Sequence, residues 1–537
     1  MSEPFDVIVV GGGHNGLVAA GLLAKRGARV TVLERRSTVG GAATTEQPWG
    51  PAFKMSSLSY VVSLIPPEIV NELELARHGY KIYPQNGYFA PYRDGRALQL
   101  PDNDAARRHT QIAQFSRADA DAYEHWDTWL GGLGHVLGPL LETIPPAIGS
   151  TRPRDLLDQA RLAWTLRRLG VKGAGDVTRL FTLSIADLLD EWFASPQMQG
   201  VLSVSGVIGV WAGPRSPGTA YVMAHHKVGD AGEGQTGSWG FPQGGMGAVS
   251  DALRAAALAK GATVRTDAPV ARIDVNNGRV RGVTLESGEE LRADVVIAAT
   301  HPQITFLDQI DRAALPSDFV TAIERWKSRS GTVKVNVAVD RLPEFTAKPG
   351  FDPEVHGGTI VLAESLDDIE GAFQDAVAGR GAALPFADIC IPSVFDPTLA
   401  PEGQHVVSMF TQWVPHTWAT SASDDGLAAY ADRVIARVDE VAPGFTDSIL
   451  HRQVIGPFEM EHEYGLIGGN IFHGELSPDQ LFHMRPAAGY ADFRTPISGL
   501  YQASSATHGG GGVTGIPGLN ATRQIMRDRS RRKWRRA

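Results

Sequence analysis

The apolar and polar positions divide the chain into alternating strand and helix patterns. Asp6-Val7-Ile8-Val9-Val10 is a nearly unbroken apolar run, as expected of a parallel strand buried on both faces. Small and apolar residues at Ala19, Ala20, Leu22, Leu23 and Ala24 predict a buried helix over 17–26, which Gly27 ends. Arg29-Val30-Thr31-Val32-Leu33 then reads as a second strand. The same rhythm returns in mid-chain: an Ala-rich helix over 248–260, the strand-like Thr263-Val264-Arg265, and strands over 270–275, 279–286 and 290–298. Asn277-Gly278 marks a hairpin between the first two of these, and Ser287-Gly288 the next turn. Residues 331–339 and 406–412 alternate like strands, and 117–143 and 152–170 read as helices. Ser116 to Asp119 has the form of a capping box with Asp in the last position. Residues 499–503 form a last short strand before a helix carrying Asn520, Ala521, Ile525 and Met526.

Between the first strand and first helix lies Gly11-Gly12-Gly13-His14-Asn15-Gly16, which satisfies G-x-G-x-x-G. Gly11 permits the tight turn, Gly13 lets backbone approach a pyrophosphate, and Gly16 allows close helix–strand packing. The helix N-terminus near His14 and Asn15 presents free N–H groups and a positive dipole end to phosphates. Glu34 ends the second strand roughly 20 residues later, where an acid accepts ribose hydroxyls. A glycine-rich loop alone would be weak evidence. With strand, helix, second strand and terminal acid all in sequence, the segment predicts a dinucleotide site.

NAD and FAD share that fingerprint. Glu34 is followed by Arg35-Arg36-Ser37-Thr38-Val39-Gly40-Gly41-Ala42-Ala43, which resembles the extended motif of glutathione-reductase-like and amine-oxidase-like flavoproteins. That resemblance implies FAD, with the Gly40-Gly41 loop beside its phosphates; a surface turn is the bland alternative for the glycine pair alone. It further implies a backbone contact to the adenine at Val270, and an apolar strand over 293–300 ending near the cofactor at Thr300. Gly510 to Gly515 also satisfies G-x-G-x-x-G, but no second strand ending in an acid follows it in 529–537. The resemblance instead lays Gly511, Gly512 and Val513 over the flavin end. Ser504-Ser505-Ala506-Thr507 stand where many such flavoproteins carry an acid, so a ribityl contact would come from hydroxyls or backbone.

Residues 12–20, 59–64, 240–247, 468–474 and 508–520 resemble the phytoene-desaturase-type superfamily, most closely its pyridine nucleotide-disulphide oxidoreductase domain-containing protein 2 group. The resemblance implies an α/β fold with a discontinuous Rossmann-like FAD domain from 1–70, 236–305 and 490–530. It also implies a mixed α+β substrate domain from 71–235 and 306–489, followed by a basic tail at 531–537. The activity it implies is a dehydrogenase or desaturase that moves hydride from a hydrophobic, polyene or isoprenoid-like molecule to flavin N5. An amine oxidase shares the fold and needs an amine-recognition site; a mainly structural flavoprotein is the third reading.

Composition narrows this. At 537 residues the chain is long enough for two domains. A hydrophobic content of 43% and a net charge of −9 describe an ordinary globular protein and give no sign of a nucleic-acid binder. The lone cysteine, Cys390, excludes an internal disulfide, a Cys-x-x-Cys couple and a cysteine zinc site. The N-terminus runs straight into a strand pattern with no signal-peptide layout, and no apolar run reaches the roughly 18 residues of a membrane span. A cytoplasmic protein is expected, with surface attachment to membranes open. Leu162, Trp164, Leu166 and Leu169 lie among Arg161, Arg167 and Arg168, a pattern that suits lipid contact or a solvated helix. The Arg-rich stretch 527–536 suits anionic headgroups, nucleic acid or a free tail.

No second nucleotide domain is evident, so oxygen or a quinone is the expected electron acceptor. The flavin would perform the difficult chemistry and the protein would position substrate and exclude water. His508, just before the Gly509–Gly512 loop, is the catalytic candidate; a hydrogen bond shaping that loop is the equal alternative. His225-His226 reads as an exposed turn or as satisfied histidines. Tyr60 and Trp239 read as packing, or as channel lining. His473, Glu475 and His483, and the 459–463 acidic run with His462, lack recognised metal-ligand spacing, so no metal is expected.

Overall fold

The computed structural model describes residues 5–231 and 237–529; the predicted tail at 531–537 lies outside them. Phe5–Val10 sits at the centre of a seven-stranded sheet, with Val30–Leu33 and then Thr263–Arg265 on one side. On the other side lies Glu290–Ala298, then Arg279–Leu285 and Val270–Asn276. The central pairings are parallel. Leu500–Gln502 joins this sheet beside Glu290–Ala298, also parallel, so its strands come from three separated stretches of chain. Asn277 and Gly278 both hold positive φ (51° and 67°), as the two-residue hairpin requires.

Helix His14–Lys25 packs between Met246–Ala259 and Ile516–Asp528. Its small residues permit the close approach: a Cβ on Gly518 would stand 2.1 Å from Asn15 O. The second glycine fingerprint thus opens a helix that packs on the first and is not the start of another nucleotide unit.

A second seven-stranded sheet runs in the order Ile449–Ile455, Thr332–Val339, His405–Gln412, Phe386–Cys390, Gly358–Leu362, Asn86–Pro91, Ala97–Leu100. All pairs are antiparallel except Gly358–Leu362 with Asn86–Pro91. One face, with Val333, Val335, Val337, Ile389, Val407 and Met409, enters the largest apolar core. Helices Arg117–Glu142, Pro196–Val207 and Thr219–His226 also contribute residues to that core.

The capping box at Ser116 forms only in part. Ser116 accepts from Asp119 N at 3.2 Å, while the Asp119 carboxylate turns to Ala194 N and Ser195 N at 2.9 and 2.8 Å. Those two contacts and the Ser195 hydroxyl hold its pKa down against burial. Helix Pro153–Arg168 is largely exposed, with Trp164 64% and nearby Val171 93% exposed. Among the described residues no helix is long and apolar enough to cross a membrane.

Candidate active site

Where the first strand stops, the chain must turn within a few residues to start a helix, and the glycines set the geometry. Gly11 holds φ 102°, and a Cβ on Gly16 would stand 2.2 Å from Gly11 O. A second glycine strip lies alongside, with Gly40 N donating to Gly12 O at 2.9 Å. The strips form one wall of a cavity of about 520 Å³ that also reaches the second sheet.

Glu34 closes one end. Its Oε2 accepts from Gly12 N at 2.7 Å and its Oε1 from Arg36 N at 2.9 Å, which fixes a buried carboxylate on the cavity wall. Arg35 reaches across to donate to Glu463 O at 2.8 Å. Val270 lies at this end, its carbonyl accepting from Gln309 at 2.9 Å. Farther along, Thr300 lines the wall and its hydroxyl pairs with that of Thr305 at 2.8 Å.

Several buried polar atoms have no hydrogen-bond partner among the described residues: His14 Nε2, Asn15 Oδ1 and His473 Nδ1, all on residues of this cavity. Buried polar atoms left this way await a ligand or water. Burial holds the His14 imidazole down to about 4, opposed by the nearby Gly512 backbone, and holds His473 down to about 3. Both rings are therefore neutral near pH 7. An acid at the ribose position, a glycine-lined groove, a helix N-terminus and unpaired donors and acceptors together fit a dinucleotide.

Of the residues predicted for the cofactor, Gly11, Gly13, His14, Asn15, Glu34 and Arg35 line the cavity. So do Gly40, Gly41, Ala42, Val270, Thr300, Gly512 and Val513. Gly16 and Ala43 stand behind the wall, where Gly16 serves packing and the Ala43 carbonyl accepts from Ser250 at 2.7 Å. Gly511 is also off the wall, its carbonyl 2.9 Å from His225 Nε2.

His508 does not face the cavity. Its Nε2 lies 2.9 Å from Leu140 O and its ring packs on Phe482, a contact of the loop-shaping kind. Beside it, the buried Arg485 donates to Phe472 O at 2.8 Å, Ser505 O at 3.1 Å and Thr507 O at 3.2 Å. This arginine ties the glycine loop to the 472–480 segment.

His225 is buried and His226 half-buried, and each is hydrogen-bonded to backbone, as satisfied histidines are; His226 lines the cavity. Tyr60 and Trp239 also belong to its wall. Glu475 pairs with Arg329 at 2.7 Å. Among the described residues no group of three or more His, Cys, Asp or Glu gathers to hold a metal.

Sequence reasoning missed the wall opposite the glycine strips. There the second sheet presents its polar face: Lys334, Phe410 and Asp388 lie in lateral register across three strands, with Asn336, Ser408 and Cys390 in the next row. Lys334 donates to Ser408 Oγ, and its Nζ stands 4.1 Å from the Tyr60 ring centroid. Tyr60 and Asp388 line the cavity together. Burial draws the Lys334 ammonium down to about 7, against the pull of Cys390 and Asp388. Burial likewise raises the Asp388 carboxyl to about 7, against Lys334 and Tyr60. Tyr60, Tyr88, Phe410, Phe472 and Ile208 give this end largely apolar sides.

Residues 68–518 match the family model of flavin-containing amine oxidoreductases, and 9–66 that of NAD(P)-binding Rossmann-like domains. The chain is 41% identical to pyridine nucleotide-disulfide oxidoreductase domain-containing protein 2 of Rattus norvegicus, over 98% of this chain and 94% of that one. Likeness to phytoene desaturase of Phycomyces blakesleeanus is distant, at 23% identity over 98% of this chain and 85% of that one. Among solved structures, cyclohexylamine oxidase from Brevibacterium oxydans superposes with a TM-score of 0.60 at 18% identity, covering 98% and 100% of the two chains. The fold is therefore the Rossmann-like dinucleotide-binding type of the amine oxidases with an additional mixed α+β domain, and the cofactor is FAD. The chain is an FAD-dependent oxidoreductase and belongs to the flavin-containing amine oxidoreductase family.

Proposed function

We propose that this oxidoreductase dehydrogenates a small amine carried on an apolar body. One observation carries the reading: a single cavity runs from the Glu34 groove to a chamber with aromatic sides and one buried base and one buried acid in its end wall. Bound FAD supplies a two-electron acceptor. The protein's own part is positional. Glu34 accepts ribose hydroxyls, the glycine strips admit the phosphates, and His14 Nε2 and Asn15 Oδ1 offer their unpaired atoms to the cofactor. Tyr60, Tyr88 and Phe410 exclude water around the reacting carbon.

A polyene or isoprenoid substrate is the second reading, favoured by the aromatic sides and the distant desaturase likeness. It is the weaker one, because a bare hydrocarbon would leave the polar end wall without a partner. A mainly structural flavoprotein would hold flavin that no donor reduces. Oxygen or a quinone is proposed as acceptor, since the second glycine fingerprint opens a packing helix. Helix Pro153–Arg168, with Trp164 exposed among Arg161, Arg167 and Arg168, is proposed to rest on anionic lipid. A turnover panel of alkylamines against isoprenoids, with products identified by mass, tests the reading. Carbonyl products from amines support it, whereas desaturated isoprenoids with inert amines would replace it.

A further inference from the structure

Lys334 stands inside a run of valines on the second sheet, is 1% exposed, and lines the cavity. Its one hydrogen-bond partner among the described residues is the Ser408 hydroxyl oxygen. That hydroxyl in turn donates to Asn336 Oδ1 at 3.5 Å, so its lone pairs, and not its proton, face the lysine. A chain of neutral partners of this kind holds an amine as well as it holds an ammonium ion. The Tyr60 ring covers Nζ from another side, and Tyr88, Phe410, Phe472 and Ile208 give the chamber its apolar sides. Burial favours the free base here, against the pull of Cys390 and Asp388. Of the titratable groups around it, Tyr60, Tyr88 and Cys390 are raised by burial and His226 is lowered by it. Asp388, raised by burial to about 7, is the other group that titrates near neutral pH. A neutral primary amine with an unused lone pair, set in a water-excluding chamber, has the makings of a nucleophile toward carbonyl groups.

We propose that Lys334 is a nucleophile that condenses with an aldehyde carried on an apolar body and holds it as an imine on Nζ. The inference goes beyond the amine reading and does not require it, although the carbonyl product of that reaction belongs to the same chemical class. The Nζ lone pair attacks the carbonyl carbon and a C–N bond forms. The carbonyl oxygen takes one proton from the nitrogen to become a hydroxyl, then leaves with the second as water while the C=N bond closes. An amine and an aldehyde thus give an imine and one water, with no change of oxidation state and no outside reagent. Ser408 accepts an N–H of the amine and so turns the lone pair away from itself. The aromatic sides take the aldehyde's apolar body and keep out the water that would hydrolyse the imine.

The test uses the full-length holoprotein, benzaldehyde as the probe, and cyanoborohydride, which delivers hydride to the imine carbon and fixes the adduct as a benzyl group. Digestion and peptide mass mapping locate the label. At pH 7 an ordinary exposed lysine is a free base only about once in 10³ molecules. Lys334 should therefore be labelled at least about tenfold faster than any exposed lysine. Its rate should stop rising near pH 7, where its own titration ends, while the exposed lysines go on climbing. Isopropylbenzene, which has the apolar body without the carbonyl, should slow the labelling of Lys334 alone. Lys334→Arg should remove this label and leave the others. The wild-type map needs no variant, so a Lys334→Arg protein that fails to fold would not rescue a failed result. Labelling of Lys334 no faster than that of exposed lysines, or labelling that isopropylbenzene does not slow, would overturn the proposal. If Lys334 is labelled selectively while no amine reduces the flavin, the inference stands and the redox reading alone fails.

Discussion

Lys334 and Asp388 stand two strands apart on one face of the second sheet, joined in register through Phe410, with the Tyr60 ring against the lysine. Removing one partner strands the other. Lys334→Met or Asp388→Leu alone should cost about 3–5 kcal/mol of stability, whereas the double variant should recover most of that loss. Denaturant midpoints of the three variants check this, and additive single losses would show that the two groups do not act as a pair.

Glu34 spans Gly12 N and Arg36 N with its two oxygens and so holds its carboxylate toward the groove. Glu34→Ala should weaken FAD binding about 10- to 100-fold, the loss of charge-assisted hydrogen bonds to ribose and backbone. Retention of the flavin colour through gel filtration, followed by titration of the flavin-free protein, measures it.

The loop contact of His508 makes a prediction opposite to a catalytic role. His508→Ala should leave the rate of flavin reduction within about threefold of the parent while costing about 1–3 kcal/mol, since Leu140 O loses its buried donor. A large fall in reduction rate with unchanged stability would return His508 to the chemistry.

Burial lowers several histidines in the same direction, among them His14, His225 and His508 to about 4, and His473 to about 3. Groups whose folded pKa lies below the unfolded value contribute stability that is whole above about 6.5 and is lost as pH falls toward 4. Each contributes a slope of up to about 1.4 kcal/mol per pH unit in that window. Thermal midpoints should drop steeply from about pH 6.5 to 4, and His508→Asn should shallow the drop.

Trp164 and Val171 present large exposed apolar surface beside Arg161, Arg167 and Arg168. Trp164→Glu with Val171→Glu should abolish co-sedimentation with anionic vesicles and leave the thermal midpoint within about 1 °C, because neither side chain is packed. Equal sedimentation of parent and variant would remove the lipid proposal.

The dinucleotide groove was legible because its constraints are local. A tight turn, a buried helix and an acid at a strand end lie within some 25 residues, and each leaves its mark on residue type. The chamber was not. Residues 331–339 and 406–412 alternate, but a period of two says only that polar positions share a face, not whether that face meets solvent or a cavity. Lys334 and Asn336 carried the available signal: every residue of Thr332–Val339 is buried, and a lysine inside a valine run must have a partner across the sheet. Which strand supplies that partner is decided by pairings between residues tens of positions apart. His508 left two readings open for the converse reason, since its place beside the glycine loop in sequence fixed its backbone but not the direction of its ring.

The most direct measurement is anaerobic mixing of the FAD-loaded protein with a primary alkylamine bearing an α-hydrogen, and separately with an acyclic isoprenoid, while the visible flavin band is followed. The account predicts rapid bleaching by the amine, faster as pH rises toward the amine's pKa, with one carbonyl product released per flavin. Bleaching by the isoprenoid with an unreduced flavin in the presence of every amine tried would contradict it.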